Sequence, residues 1–124
     1  MNLKTYTKIE TVFNRSLEGQ KELIMGDYRN ETVEYLKDNE WVGTERVDGT
    51  NIRVCWDGYS ISFAGRTNKS VIQPNLLPKL EEIFCNPETE QVFEQLFGEK
   101  EVILYGEGYG NRIQKVGSLY REDN

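Results

Sequence analysis

Two Asp-Gly pairs, Asp48-Gly49 and Asp57-Gly58, cut a β-rich stretch into three runs, and this spacing constrains the fold more than any other feature. The runs are Trp41 to Val47, Thr50 to Trp56 and Tyr59 to Ala64. Asp-Gly between apolar runs favours a hairpin, because both residues reach positive φ readily. The spacing therefore predicts an antiparallel meander. In its second strand Ile52, Val54 and Trp56 share one face, and Asn51, Arg53 and Cys55 share the other. Tyr59, Ile61 and Phe63 alternate with Ser60, Ser62 and Ala64 in the third. One face reads as core, and the other carries polar groups suited to a cleft wall.

Around this meander the pattern predicts short helices. Asn30 is placed as an N-cap before Thr32 to Lys37. Leu76 to Phe84 has apolar residues at helical spacing, with Pro78 tolerated only in the first turn. Pro87 to Phe97 follows, with Pro87 at its start, Gly98 at its end, and Val92, Phe93, Leu96 and Phe97 as the expected buried stripe. Glu101 to Tyr105 is apolar enough to predict a strand covered on both faces. One or two N-terminal strands are expected within Thr5 to Phe13. The fold class this implies is α+β, an antiparallel sheet with short helices packed on it, organised as a single domain over residues 1–124.

Composition narrows the function. The 124 residues are 37% hydrophobic and 29% charged, which suits a globular domain. No run of about 18 apolar residues is present, so no membrane span is expected and the cytoplasm is the expected compartment. With no histidine in the chain, a Ser-His or Cys-His hydrolase is excluded. Cys55 and Cys85 fit neither a metal finger nor a redox pair and read as reduced core residues. A net charge of −6 argues against a protein that coats nucleic acid generally, but leaves room for a local basic pocket.

Three polar clusters exceed what turns require: Glu45-Arg46-Val47-Asp48-Gly49-Thr50-Asn51, Gly65-Arg66-Thr67 and Tyr105-Gly106-Glu107. Each has a plain reading. Asp48-Gly49 can simply turn the chain, with Glu45 and Asn51 as hairpin-flank polarity. Arg66 can be a solvated charge, and Glu107 can sit in an ordinary glycine-rich turn. The functional alternative is that glycines admit a ligand close to the backbone, while Glu107 accepts hydroxyl hydrogen bonds and Arg66 grips phosphate. A dinucleotide-binding reading of Gly106, Gly108 and Gly110 is weak, because the glycine spacing is wrong and only Glu122 and Asp123 lie downstream.

Together these segments resemble the nucleotidyltransferase domain of ATP-dependent polynucleotide ligases, most closely the RNA-sealing branch. The first motif there reads Glu-Lys-x-Asp-Gly-Thr-Asn, and Glu45 to Asn51 is similar to it at every element except the lysine. Tyr105-Gly106-Glu107 resembles the motif whose glutamate contacts the ribose, and Gly108-Tyr109-Gly110-Asn111-Arg112-Ile113-Gln114-Lys115 looks like its RNA-ligase continuation. DNA ligases and capping enzymes share the first motif; the continuation favours the RNA branch. The resemblance implies ATP and Mg²⁺ as cofactors, RNA ends or nicked RNA as partners, and a role in RNA repair. It implies that Glu45, Arg46, Asn51, Arg66 and Glu107 contact the nucleotide. Asp48 and Gly49 would shape the turn, with Arg53 and Lys115 as further contacts to RNA or phosphate.

Two departures alter what the resemblance implies. The family's lysine amine attacks the α-phosphate of ATP, AMP passes to a 5′-phosphate, and a 3′-hydroxyl displaces it. Arg46 stands at the nucleophile position, and a guanidinium stays protonated with delocalised lone pairs. It can bind phosphate but is not expected to form the adenylate. Lys69 and Lys115 are not expected to replace it. The resemblance covers about Thr5 to Tyr120 and implies only the N-terminal portion of the domain. The adenine-stacking segment, the metal-holding glutamate and the closing lysine pair have no counterpart. An unpaired sheet edge, and self-association through it, are expected in consequence. The alternative is a non-catalytic module on the same fold that binds nucleotide, RNA ends or a partner protein.

Overall fold

A computed structural model describes residues 3–122. They divide into two compact units, one of residues 3–6 with 46–122 and the other of Thr7–Glu45. The chain is α+β, with antiparallel sheets and a few short helices. None of those helices is long and apolar enough to cross a membrane.

In the Thr7–Glu45 unit, β1 (Phe13–Arg15) pairs antiparallel with β2 (Leu23–Tyr28), with a register shift between Phe13 and Arg15. Helix α1 (Glu31–Tyr35) follows, and the Asn30 side chain accepts from the Val33 N–H at 3.0 Å, as an N-cap does. The expected strand over Thr5 to Phe13 is not formed, since only Phe13 lies in a ladder. Trp41 to Val47 is also irregular rather than a strand. β-propensity measures fit to a pleated neighbour, and within this unit the Trp41 indole instead donates to the Leu36 carbonyl at 2.9 Å, just beyond α1.

The larger unit is built on β3 (Thr50–Trp56), the central strand between β4 (Ile61–Ala64) and β5 (Val102–Gly108). The Asp57-Gly58 hairpin is formed. The Asp57 carboxylate accepts from the N–H groups of Tyr59 (2.9 Å) and Ser60 (2.8 Å), and Gly58 takes φ +99°. That turn consumes Tyr59 and Ser60, so β4 starts two residues later than the alternation implied. The Asp48-Gly49 hairpin is not formed: β3 takes both neighbours from later in the chain.

Helices α2 (Leu77–Phe84) and α3 (Pro87–Phe97) cover the apolar face of β3. Asn86 joins them. Its side chain accepts from the Thr89 N–H at 2.9 Å and donates to the carbonyls of Glu82 and Ile83 at 3.1 and 2.9 Å. Ile52, Val54 and Trp56 pack there with Leu76, Leu80, Phe93 and Ile113. The Phe93 ring meets Phe84, Phe97 and Trp56 at centroid distances of 6.5, 5.5 and 5.9 Å. Burying each such side chain contributes about 1.5–3 kcal/mol.

Three burial expectations are corrected. Val92 and Leu96 are exposed, leaving Phe93 buried and Phe97 half-buried, because only one side of α3 meets the sheet. β5 is not covered on both faces: it is an edge strand, and Leu104 and Tyr105 remain partly open. Cys55 is buried, but Cys85 at the end of α2 is exposed.

Candidate functional site

The polar end of β3 and β5 forms an open cleft of about 360 Å³, lined by Arg46, Val47, Asp48, Gly49, Thr50, Asn51, Arg66 and Glu107. Residues far apart in sequence meet here because β3 and β5 pair in register, with Asn51 opposite Glu107 and Thr50 opposite Gly108. Glu107 is therefore a strand residue, not the turn residue its flanking glycines suggested. The Asn51 amide donates to the Glu107 carboxylate at 2.8 Å. The amide oxygen of Asn51 and the other oxygen of Glu107 are further acceptors of this pair.

Gly49 is required by a close backbone approach. A Cβ there would collide with the carbonyl oxygen of Gly108 and come within 2.8 Å of the Glu107 side chain. The loop from Arg46 to Gly49 is held from two further points. The Gln114 amide donates to the Gly49 carbonyl at 2.8 Å, and the Asp48 N–H donates to the Tyr120 hydroxyl at 3.3 Å. Gln73 in turn donates to the Ile113 carbonyl at 3.0 Å, and Ile113 is buried in the core. Gln73 and Tyr120 carried no sequence signal, since an isolated amide or phenol has no periodicity to mark it. Gln114 lay in a segment already marked, without a role.

Among the described residues the ion pairs are Arg29–Glu10 and Lys79–Glu82, and Arg46 and Arg66 of the cleft lining belong to neither. Two forked guanidinium groups suit phosphate oxygens, and a carboxylate suits hydroxyl groups. The cleft lining includes no lysine or cysteine. Cys55 lies two residues from Arg53 on β3; burial pushes its thiol pKa up, against the pull of the Arg53 charge, and makes it a poor nucleophile.

Of the residues marked in the sequence, Arg46, Asp48, Gly49, Asn51, Arg66 and Glu107 are brought together. Glu45 belongs to the other unit and is exposed. Lys115 is exposed and, like Lys69, lies outside the cleft lining. Arg53, expected as a contact to RNA or phosphate, is corrected: it is 2% exposed, and its guanidinium is engaged by main-chain carbonyls and Asn68. No group of three or more His, Cys, Asp or Glu side chains among the described residues forms a metal cage.

No family model, curated protein or solved structure matches the chain. The site's own geometry therefore carries the functional reading.

Proposed function

We propose that this chain is of the ATP-dependent RNA ligase nucleotidyltransferase type but inactive in adenylylation, with Arg46 at the nucleophile position, and that its cleft binds ATP or AMP. One observation carries the reading. Arg46, Asn51, Arg66 and Glu107, marked in three separate segments, line a single cleft. In this reading Arg66 and Arg46 hold phosphate oxygens, Glu107 accepts from a ribose hydroxyl, and Asn51 orients Glu107. Mg²⁺ commonly keeps waters and is held by one or two carboxylates with the substrate's phosphates. Asp48 and Glu107 are the carboxylates at hand, so the ion would enter with ATP rather than in a protein cage. A cytoplasmic setting, and RNA ends as the second substrate, belong to the same proposal.

The absence of any amine from the cleft lining supports the non-covalent part of the proposal and also favours a second reading, a binding module without chemistry. Titration with ATP and with AMP, with and without Mg²⁺, tests the first. Binding is expected for the chain, with no mass increase of one AMP after incubation with ATP and Mg²⁺. An AMP adduct on this chain would overturn the non-covalent assignment, and absence of binding would overturn the nucleotide site. Binding of 5′-phosphorylated RNA ends with no binding of ATP or AMP would instead favour the module.

A further inference from the structure

Arg53 is the buried charged side chain of this fold among the described residues, and no carboxylate pairs with it. Burying a charge is costly unless its hydrogen-bonding groups are met, and here they are met by two separate chain segments. Its Nε donates to the Gly65 carbonyl at 2.8 Å, and its Nη2 to the Asn68 Oδ1 at 3.0 Å. Its Nη1 donates to the carbonyls of Leu3 and Lys4 at 3.0 and 3.2 Å. The Tyr105 hydroxyl, opposite Arg53 on β5, also donates to the Lys4 carbonyl at 3.0 Å.

Gly65 and Asn68 bracket Arg66. Beyond Arg66 the chain closes a small turn, with the Thr67 N–H donating to Ser70 Oγ and the Ser70 N–H to the Thr67 carbonyl, both at 3.1 Å. That turn is exposed, apart from buried Gly65. The hydrogen bonds from β3 that hold it are those of Arg53, to Gly65 and to Asn68. Arg53 stands two residues from Asn51, on the same face of the same strand. A rigid planar fork can hold several acceptors in a fixed geometry, whereas an ammonium is a point charge on a flexible stem.

We propose that Arg53 is a positioning residue for the cleft: it grips the chain on both sides of Arg66 and so sets where the Arg66 guanidinium meets a phosphate-bearing ligand. The ligand part of this inference rests on the nucleotide reading above, while the grip on the turn does not. The same fork ties down Leu3 and Lys4, so the chain's first described residues and the Arg66 turn share one anchor.

The test is a double-mutant cycle on the full chain, with ATP affinity as one readout and amide hydrogen exchange as the other. Arg53→Lys keeps the charge but loses the fork. It is expected to weaken ATP binding about tenfold, within the range of coupling between residues of one hydrogen-bond network, and to speed exchange at Thr67 and Ser70. Exchange at Val54 and Trp56 in the core should stay unchanged. In an Arg66→Ala background Arg53→Lys should have no further effect on affinity. An equal loss in both backgrounds, or unchanged exchange at Thr67 and Ser70, would overturn the proposal. Should Arg53→Lys fail to fold, Asn68→Ala removes one grip with Arg53 in place, and its effects must follow the same pattern. If the unaltered chain binds neither ATP nor AMP, the nucleotide reading falls. The exchange data then decide the grip by itself: faster exchange confined to the turn upholds it, and no change ends it.

Discussion

Asn51 and Glu107 stand directly opposite each other on β3 and β5, and the Asn51 amide donates a 2.8 Å hydrogen bond to the Glu107 carboxylate. They are 56 residues apart in the chain. If Glu107 receives a ribose hydroxyl, Glu107→Ala should weaken AMP binding by about 1.5–3 kcal/mol, the range for a hydrogen bond to a charged group. The same substitution should abolish any preference for AMP over its dideoxy analogue. Calorimetric titration of both nucleotides checks this, and Asn51→Ala should reproduce part of the loss.

The close approach of Gly49 to β5 separates two glycines that look alike in sequence. Gly49→Ala drives a methyl group into the Gly108 carbonyl and the Glu107 side chain, so a loss of about 1–3 kcal/mol is expected, as for overpacking elsewhere. Gly106, whose added Cβ meets nothing within 4 Å, should accept Ala with little change. Urea unfolding of the two variants provides the comparison.

On α3 the contrast lies between Phe93 and Leu96. Phe93 is 6% exposed and packed among three aromatic rings, so Phe93→Ala should cost about 3–5 kcal/mol. Leu96 is 69% exposed, and Leu96→Ala should fall within about 0.5 kcal/mol of the unaltered chain. Thermal and denaturant unfolding measure both.

Acid sensitivity is expected at the β3–β4 turn. The N–H groups of Ser60 and Tyr59 hold the Asp57 carboxyl below its ordinary value of 3.8. The folded pKa is the lower one, so the stabilisation is complete above the unfolded value and is lost as pH falls through the folded value. The stability difference between the unaltered chain and Asp57→Ala should therefore stay constant near neutrality and shrink on acidification below that range. Unfolding curves collected across the acid range test the sign.

Sequence alone determined the elements whose signals are local. Asn30 before a helix, Pro87 at a helix start, Asp57-Gly58 as a turn and the alternation of Ile52, Val54 and Trp56 each act through neighbours a few residues away. Tertiary structure decided everything that depends on who pairs with whom. Asp48-Gly49 carries the same hairpin signal as Asp57-Gly58, yet β3 recruits β5 instead, and Gly49 becomes a point of backbone contact. Arg53 reads as a cleft-facing cation in the alternation, but Leu3, Lys4, Gly65 and Asn68 close over it. Val92 and Leu96 share a helical stripe with Phe93, yet the sheet reaches only one side of α3. A turn or a cap is settled by a few backbone dihedrals and one side chain, whereas burial and strand partnership are settled by segments that meet only when the chain is folded.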